Sequence, residues 1–332
     1  MTPRERLLAT LRREPVDRPP LAFWRHAPGL DRDPRRLADA TLRFADRWRL
    51  DLIKLTPSAT YCVEDWGCRP GESAEPTGAA VCASHAIRSE ADWTRIAPLD
   101  PGAGALGREL EAVHRVARLR AEEIPVVHTL FSPLSVALKL AGDRLREDLR
   151  RTPEPVRRAL EAITATLIRY ARTALEAGAD GIFVATQAAS RRVVDATELG
   201  DWELPYLRRL LDSLEPLSSV TILHLHGQEL HFERFTDLPA HVLSWADRQA
   251  GPSLSEARRG WTAVVMGGLD EWGALRTGPR AAIEAEVHDA LRQTDGLGLV
   301  LAPGCVLPLD LPDEHLAAVV RAARGSATRT TR

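Results

Sequence analysis

Two histidines one residue apart, His224 and His226 in the run ILHLHG, carry the sharpest chemical signal in the chain. If that run is a β-strand, alternation points residues i and i+2 to the same side, with Cα atoms about 6 to 7 Å apart. Both imidazoles then face one space and are close enough to share an ion. Cys305, in PGCVL, can bring a thiolate from a distant part of the chain. Two imidazole nitrogens and one thiolate suit tetrahedral zinc with one position open, the arrangement of a catalytic site. Zinc held in this way binds a substrate thiol or water and lowers its pKa. The competing expectation is that all three are packed, hydrogen-bonded residues, with Cys305 a small apolar filler.

Other reactive side chains fall just past apolar runs. Arg25-His26 follows one such run, and a guanidinium there can clamp a carboxylate or phosphate, or close the rim with an ion pair. Lys54 sits inside the apolar run DLIKLTPS. Facing inward it is a desolvated lysine with a depressed pKa, and facing outward it snorkels to water. Arg25, Lys54, Ser58 and Lys139 are the candidates for catalytic roles, and His26, Tyr61, His128, Gln187 and Asp270 for substrate binding. Asp270 is also a candidate fourth metal ligand. The loop YCVEDWG can supply an acid or an aromatic wall. Cys62 and Cys68, spaced C-x5-C, match no metal or redox motif and are assigned nothing. Neither a Walker-type loop, nor a dinucleotide fingerprint after a strand, nor an HExxH helix occurs.

These residues need a scaffold that collects strand ends. Short β-branched or apolar runs at 21–24, 52–55, 125–129, 181–185, 221–225, 242–244, 263–266 and 297–301 alternate with long amphipathic stretches, the pattern of buried parallel strands with helical crossovers. In the stretch 152–178, Thr152 is placed to cap a helix, and Pro153 suits its first turn. Val156, Leu160, Ile163, Leu167 and Leu175 mark one face, and Gly178 stops it. Eight such units predict a single α/β domain over 1–324. It is a closed (β/α)8 TIM-type barrel with its active site at the C-terminal ends of the strands. The stretch 69–104, rich in Gly, Pro, Ala and Ser, reads as an excursion before the third strand, and the tail from Gly325 as disordered.

Bulk properties narrow the classes of function. A net charge of -2, from 44 basic and 46 acidic residues, gives no electrostatic footprint for nucleic acid. No apolar run approaches membrane-spanning length, and the opening MTPRERLLATLRRE is charged from the start, unlike a signal peptide. Four scattered cysteines do not make a disulfide framework, so a reduced, cytoplasmic setting is expected.

With those residues in view, the chain resembles the uroporphyrinogen decarboxylase superfamily. That group includes zinc-dependent methyltransferases acting on methyl-corrinoid proteins, and it is distantly similar to cobalamin-independent methionine synthase. The resemblance runs from about Thr2 to Arg324. It rests on TPRERLLATLRREPVDRPP, WRLDLIKLTPSATYCVEDWG, HTLFSPLSVALKLAG, LEAGADGIFVATQ, ILHLHG, VVMGGLD and APGCVLPLDLPDEHLAAVVRAAR. Against the decarboxylases, RHAPGL keeps Arg25 but has Gly29 where a second arginine belongs. Ser58 stands at the catalytic aspartate, Lys139 at the active-site tyrosine and Cys305 at the C-terminal histidine. Losing these four features argues against authentic uroporphyrinogen decarboxylation, because proton transfer needs the acid. Against the methyltransferases, His224 and Cys305 match two zinc ligands, while His226 replaces a cysteine, so a bound thiolate is less electron-rich.

The resemblance therefore implies zinc on His224, His226 and Cys305, methyl transfer to a small thiol or carboxylate substrate, and a methyl-corrinoid as donor or ligand. A corrinoid protein is the implied partner and a homodimer the implied assembly. Two alternatives stay open: a metal-free decarboxylase or lyase of a small acid, and a non-catalytic barrel that binds a corrinoid or tetrapyrrole.

Overall fold

The computed structural model describes residues 1–72, 74–121, 123–260 and 264–325. Seven parallel strands form one curled sheet: β1 (Ile53–Leu55), β4 (Val126–Phe131), β5 (Gly181–Thr186), β6 (Val220–Leu225), β7 (Val242–Trp245), β8 (Val264–Leu269) and β9 (Leu299–Pro303), hydrogen-bonded in that order. Between β1 and β4 the chain makes an antiparallel hairpin of β2 (Arg69–Gly71) and β3 (Val81–Ser84). This hairpin and the 3-10 helix Glu90–Arg95 make up much of the expected excursion, and the helix Gly104–Leu119 begins where it ends. The expected start of the strand at 263–266, Ala263, lies outside the described residues, as do 326–332 of the tail. Gly325 itself belongs to the helix Asp313–Gly325.

The expected first strand, 21–24, is reduced to a single parallel bridge, Leu21 to Leu301. It still closes the ring. Ala22 N–H donates to the Leu301 carbonyl, Leu301 N–H to the Pro20 carbonyl, and Asp51 N–H to the Leu21 carbonyl. Pro19 and Pro20 have no amide hydrogen to extend a ladder. The Leu21 amide is taken up by the Asp51 carboxylate at 2.8 Å, which also pairs with Arg6 and Arg18. A buried carboxylate with two guanidiniums thus does at this seam what strand pairing does elsewhere.

Strand alternation divides the apolar residues into two cores. Val127, Phe183, Ile222, Val242, Met266 and Val300 fill the barrel lumen, and Leu7 of the N-terminal helix Pro3–Leu11 belongs to the same cluster. The residues between them in the strands, such as Val126, Ile182, Leu223 and Leu243, pack outward against the helices. The helix Pro153–Glu176 follows the expected stretch, with Val156, Leu160, Ile163 and Leu167 buried. Thr152, however, makes no capping bond, and its hydroxyl donates back to the Asp148 carbonyl. Among the described residues no helix is long and apolar enough to cross a membrane.

The loop YCVEDWG is a structural joint. Its residues Tyr61–Glu64 form one helical turn, Asp65 accepts hydrogen bonds from the amides of Ala105 and Leu106 at the start of the helix Gly104–Leu119, and Trp66 Nε1 donates to the Ala97 carbonyl. A carboxylate at a helix N-terminus satisfies orphan amides and complements the dipole.

Candidate metal centre and its cavity

His224 continues the inward series Val220, Ile222 on β6, so its side chain enters the lumen. Its ring stacks on Phe183 with centroids 5.3 Å apart, and its Nδ1 lies 3.1 Å from the Ser244 hydroxyl. Ser244 is its register partner on β7. That hydrogen bond orients the ring and leaves Nε2 as the nitrogen for a metal, the usual way a second partner fixes a histidine ligand. His226 lies one residue past the strand, its amide donating to the Thr186 carbonyl, and Gly227 then turns at φ +103°. Cys305 follows β9, with Sγ 3.6 Å from His226 Nδ1.

Ligand atoms of His224, His226 and Cys305 all lie within 4.8 Å of one another. Zinc–nitrogen and zinc–sulfur bonds of about 2.05 and 2.3 Å give a tetrahedral N–S edge of about 3.6 Å. The observed thiol–imidazole separation equals that edge, so the donor set fits such an ion. Burial lowers the pKa of His224, which keeps its imidazole in the neutral, ligating form.

The cluster opens into a cavity of about 440 Å³ at the C-terminal end of the barrel. Lys54 and Lys139 both line it. Lys54 Nζ stands 4.3 Å from the Phe183 ring centroid and 5.2 Å from that of Trp24, and burial pushes its pKa down to about 7. Lys139 Nζ sits 4.3 Å over Phe131. His26 also faces the cavity, its pKa lowered to about 4 chiefly by burial, then by Lys54 and Lys139. His26 Nδ1 and Gln187 Oε1 are buried there without a hydrogen-bond partner among the described residues. Such groups are costly unless something completes them, and a ligand in the cavity would. From the side, the β2–β3 hairpin contributes Glu75, Thr77 and Val81.

Five sequence candidates lie elsewhere. Trp24 and His26 point inward, which turns Arg25 out: it is exposed, with its guanidinium 4.8 Å from the Phe44 ring. His128 lies between the inward-facing Val127 and Thr129, so it faces the helices and hydrogen-bonds Tyr170 at 2.9 Å. Tyr61 packs beside it and donates to the Thr129 carbonyl. Ser58 is fully buried and hydrogen-bonds Thr60, away from the cavity. Asp270 shapes a turn, accepting from the amides of Trp272 and Gly273, and is not part of the metal-sized cluster.

Other residues hold the site without any signal in the sequence. Glu271, buried and with its pKa pushed up to about 7, accepts the Gly304 amide at 2.9 Å and so anchors the residue before Cys305. Phe183 and Ser244 seat His224. An apolar run shows that a strand exists, but only sheet register shows which neighbour meets it.

Several known proteins share this frame. The profile of the uroporphyrinogen decarboxylase (URO-D) family matches residues 2–326. The methylcobamide:CoM methyltransferase MtbA of Methanosarcina mazei is 24% identical over 97% of this chain and 98% of its own length. The uroporphyrinogen decarboxylase of Myxococcus xanthus is 24% identical over 93% of each. A solved methyltransferase structure from Methanosarcina mazei superimposes with a TM-score of 0.82 at 24% identity, covering 98% of this chain and 99% of that one. With a barrel of this kind and a family match spanning nearly every residue, the chain belongs to the uroporphyrinogen decarboxylase family.

Proposed function

We propose that this protein transfers a methyl group from a methyl-corrinoid, carried by a partner protein, to a small thiol bound in the barrel cavity. The observation that carries the reading is the convergence of His224, His226 and Cys305 on one metal-sized point at the cavity wall. Zinc bound there would hold the acceptor's sulfur as a thiolate at neutral pH. The relatives named as methylcobamide:CoM methyltransferases support a corrinoid donor and a thiol acceptor. In the transfer, the sulfur–carbon bond forms as the cobalt–carbon bond breaks, the bonding pair stays on cobalt, and the thiol proton leaves to solvent.

The chain's own residues handle orientation. Lys54 and Lys139 offer positive charge to an acidic group on the acceptor, and His26 and Gln187 offer the buried hydrogen-bonding atoms that lack partners among the described residues. Phe183 and Trp24 wall the cavity and limit water around the sulfur. A cavity of this volume suits a small molecule, so a corrin ring would meet the acceptor at the mouth.

Zinc analysis of wild type beside a His226→Ala/Cys305→Ala variant tests this reading, with methyl transfer from methylcobalamin to thiols followed by absorbance. The variant should carry one zinc fewer than wild type and lose transfer by at least about 100-fold. Equal zinc content in both proteins, or wild-type transfer surviving chelation, would refute it. A metal-free decarboxylase of a small acid is the second reading, favoured by the two lysines facing the cavity, and it requires decarboxylation to persist after chelation.

A further inference from the structure

Cys68 has a partner set that its spacing from Cys62 does not reveal. It leads into β2, Cys82 lies in β3 and His85 follows one residue after that strand. The two strands pair with a register shift between Arg69 and Pro70, and ligand atoms of Cys68, Cys82 and His85 come within 4.8 Å of one another. All three are aimed at one oxygen, the Lys139 carbonyl, at 3.6 Å from Cys68 Sγ, 3.5 Å from Cys82 Sγ and 2.9 Å from His85 Nδ1. Around tetrahedral zinc, sulfur–oxygen and nitrogen–oxygen edges measure about 3.6 and 3.4 Å. Both sulfurs already stand at that edge length, and the nitrogen needs to back away by about half an ångström.

The surroundings favour a cation. Lys139 is in the last turn of the helix Pro133–Ala141, where carbonyls lack helical partners and the dipole presents its negative end. The helix stops at Gly142, with φ +60°, and a Cβ there would lie 2.7 Å from His85 Nε2. A side chain at that position would occupy the imidazole's seat. Cys68 is 3% exposed, while Cys82 and His85 are half-buried, so the point is enclosed yet reachable from solvent.

We infer that Cys68, Cys82 and His85, together with the Lys139 carbonyl oxygen, form a second metal site for a borderline-soft divalent cation of the zinc class. Two thiolates, an imidazole and a backbone oxygen complete a tetrahedron without an open position, so the site is structural. It ties the base of the β2–β3 hairpin to the helix that carries Lys139. The Lys139 side chain and the hairpin residues Glu75, Thr77 and Val81 all line the main cavity. A cation here therefore fixes one wall of that cavity, whatever chemistry the cavity performs.

Zinc and cobalt(II) titrations of the full chain test the assignment, using the His226→Ala/Cys305→Ala variant so that the first site is silent. The expected result is uptake of one cation per chain, with thiolate-to-cobalt charge-transfer absorbance. Zinc should also slow alkylation of Cys68 and Cys82, located by peptide mass, by about tenfold or more. A Cys82→Ser/His85→Ala variant, changed at the two half-buried positions, should lose one zinc relative to wild type. No uptake by the first variant, with alkylation equally fast with and without zinc, would overturn the assignment. So would recovery of Cys68 and Cys82 as a disulfide-linked peptide pair. Failure of the catalytic reading looks different: wild type and His226→Ala/Cys305→Ala would hold equal zinc, lost only on changing Cys82 and His85. The alkylation measurement needs no second variant, so it stands even if Cys82→Ser/His85→Ala fails to fold.

Discussion

Replacing Gly304 by alanine tests how tightly the barrel holds Cys305. A Cβ at position 304 would lie 2.5 Å from Ala246 Cα, 2.9 Å from its Cβ and 3.2 Å from Glu271 Oε2. Carbon atoms settle at about 3.5 to 4.0 Å, so the two backbones must part by about 1 Å. Ala246 is held between Trp245 and Asp247, both buried, so the strand end after β9 is the part that yields. Its movement strains the Gly304 amide's bonds to Glu271 and to the Leu269 carbonyl. Metal sites tolerate only about 0.2 Å in ligand distance. Losing the aim of one ligand costs roughly 10- to 100-fold in affinity, equivalent to about 1.4 to 2.8 kcal/mol. Zinc affinity would be read by chelator competition in the Cys82→Ser/His85→Ala background, with Gly102→Ala as control, since a Cβ there meets only Asp100 Oδ1 at 3.5 Å. Wild-type zinc affinity in Gly304→Ala would refute the claim that this glycine positions Cys305.

Lys54→Met should raise KM for an acidic thiol about 10- to 100-fold while leaving zinc content unchanged, because it removes a buried charged hydrogen-bond donor and keeps the side chain's length. As Lys54 titrates near 7 in the fold, wild-type KM should rise as pH climbs through 7 and the ammonium is lost; identical KM–pH curves for wild type and variant would exclude this role. Glu203, fully buried and accepting from Thr186 Oγ1 and the Leu134 amide, has its carboxyl pushed up to about 7 by burial, against about 4.3 in an unfolded chain. Its stabilising protonation is complete below pH about 4.3 and lost as pH rises through 7. Glu203→Gln should therefore gain on the order of 3 kcal/mol relative to wild type between pH 4 and 8. A urea-melt difference that stays flat over that range would contradict it.

Much of the frame is legible in residue order, because burial on both faces of a parallel strand leaves apolar runs that sequence displays directly. His224 and His226 share a face through the two-residue period of a strand, and that alone raises a metal site. The same period misplaces other residues when its phase is unknown. Arg25 and His128 are reactive side chains near strand ends, yet each sits one position out of phase with the lumen. Lys54 has the inward phase, shared with its register partner Val127. The first strand dwindled to a bridge because the Asp51 carboxylate, not a backbone carbonyl, takes the Leu21 amide. Nothing in the local sequence announces that exchange.

Residue order carries the family, the alternation that builds the barrel, and the types of side chain available as ligands. Tertiary structure decided which of them meet. Cys305 reaches His226 across 79 positions because barrel closure makes the end of β9 face the end of β6. Cys68 passes over its near neighbour Cys62 for Cys82 and His85, since hairpin pairing and the end of a helix set their common target. Periodicity along a chain is local and can be read from residue order. Coincidence between distant strands depends on register, closure and phase, which are settled only when the whole core packs at once.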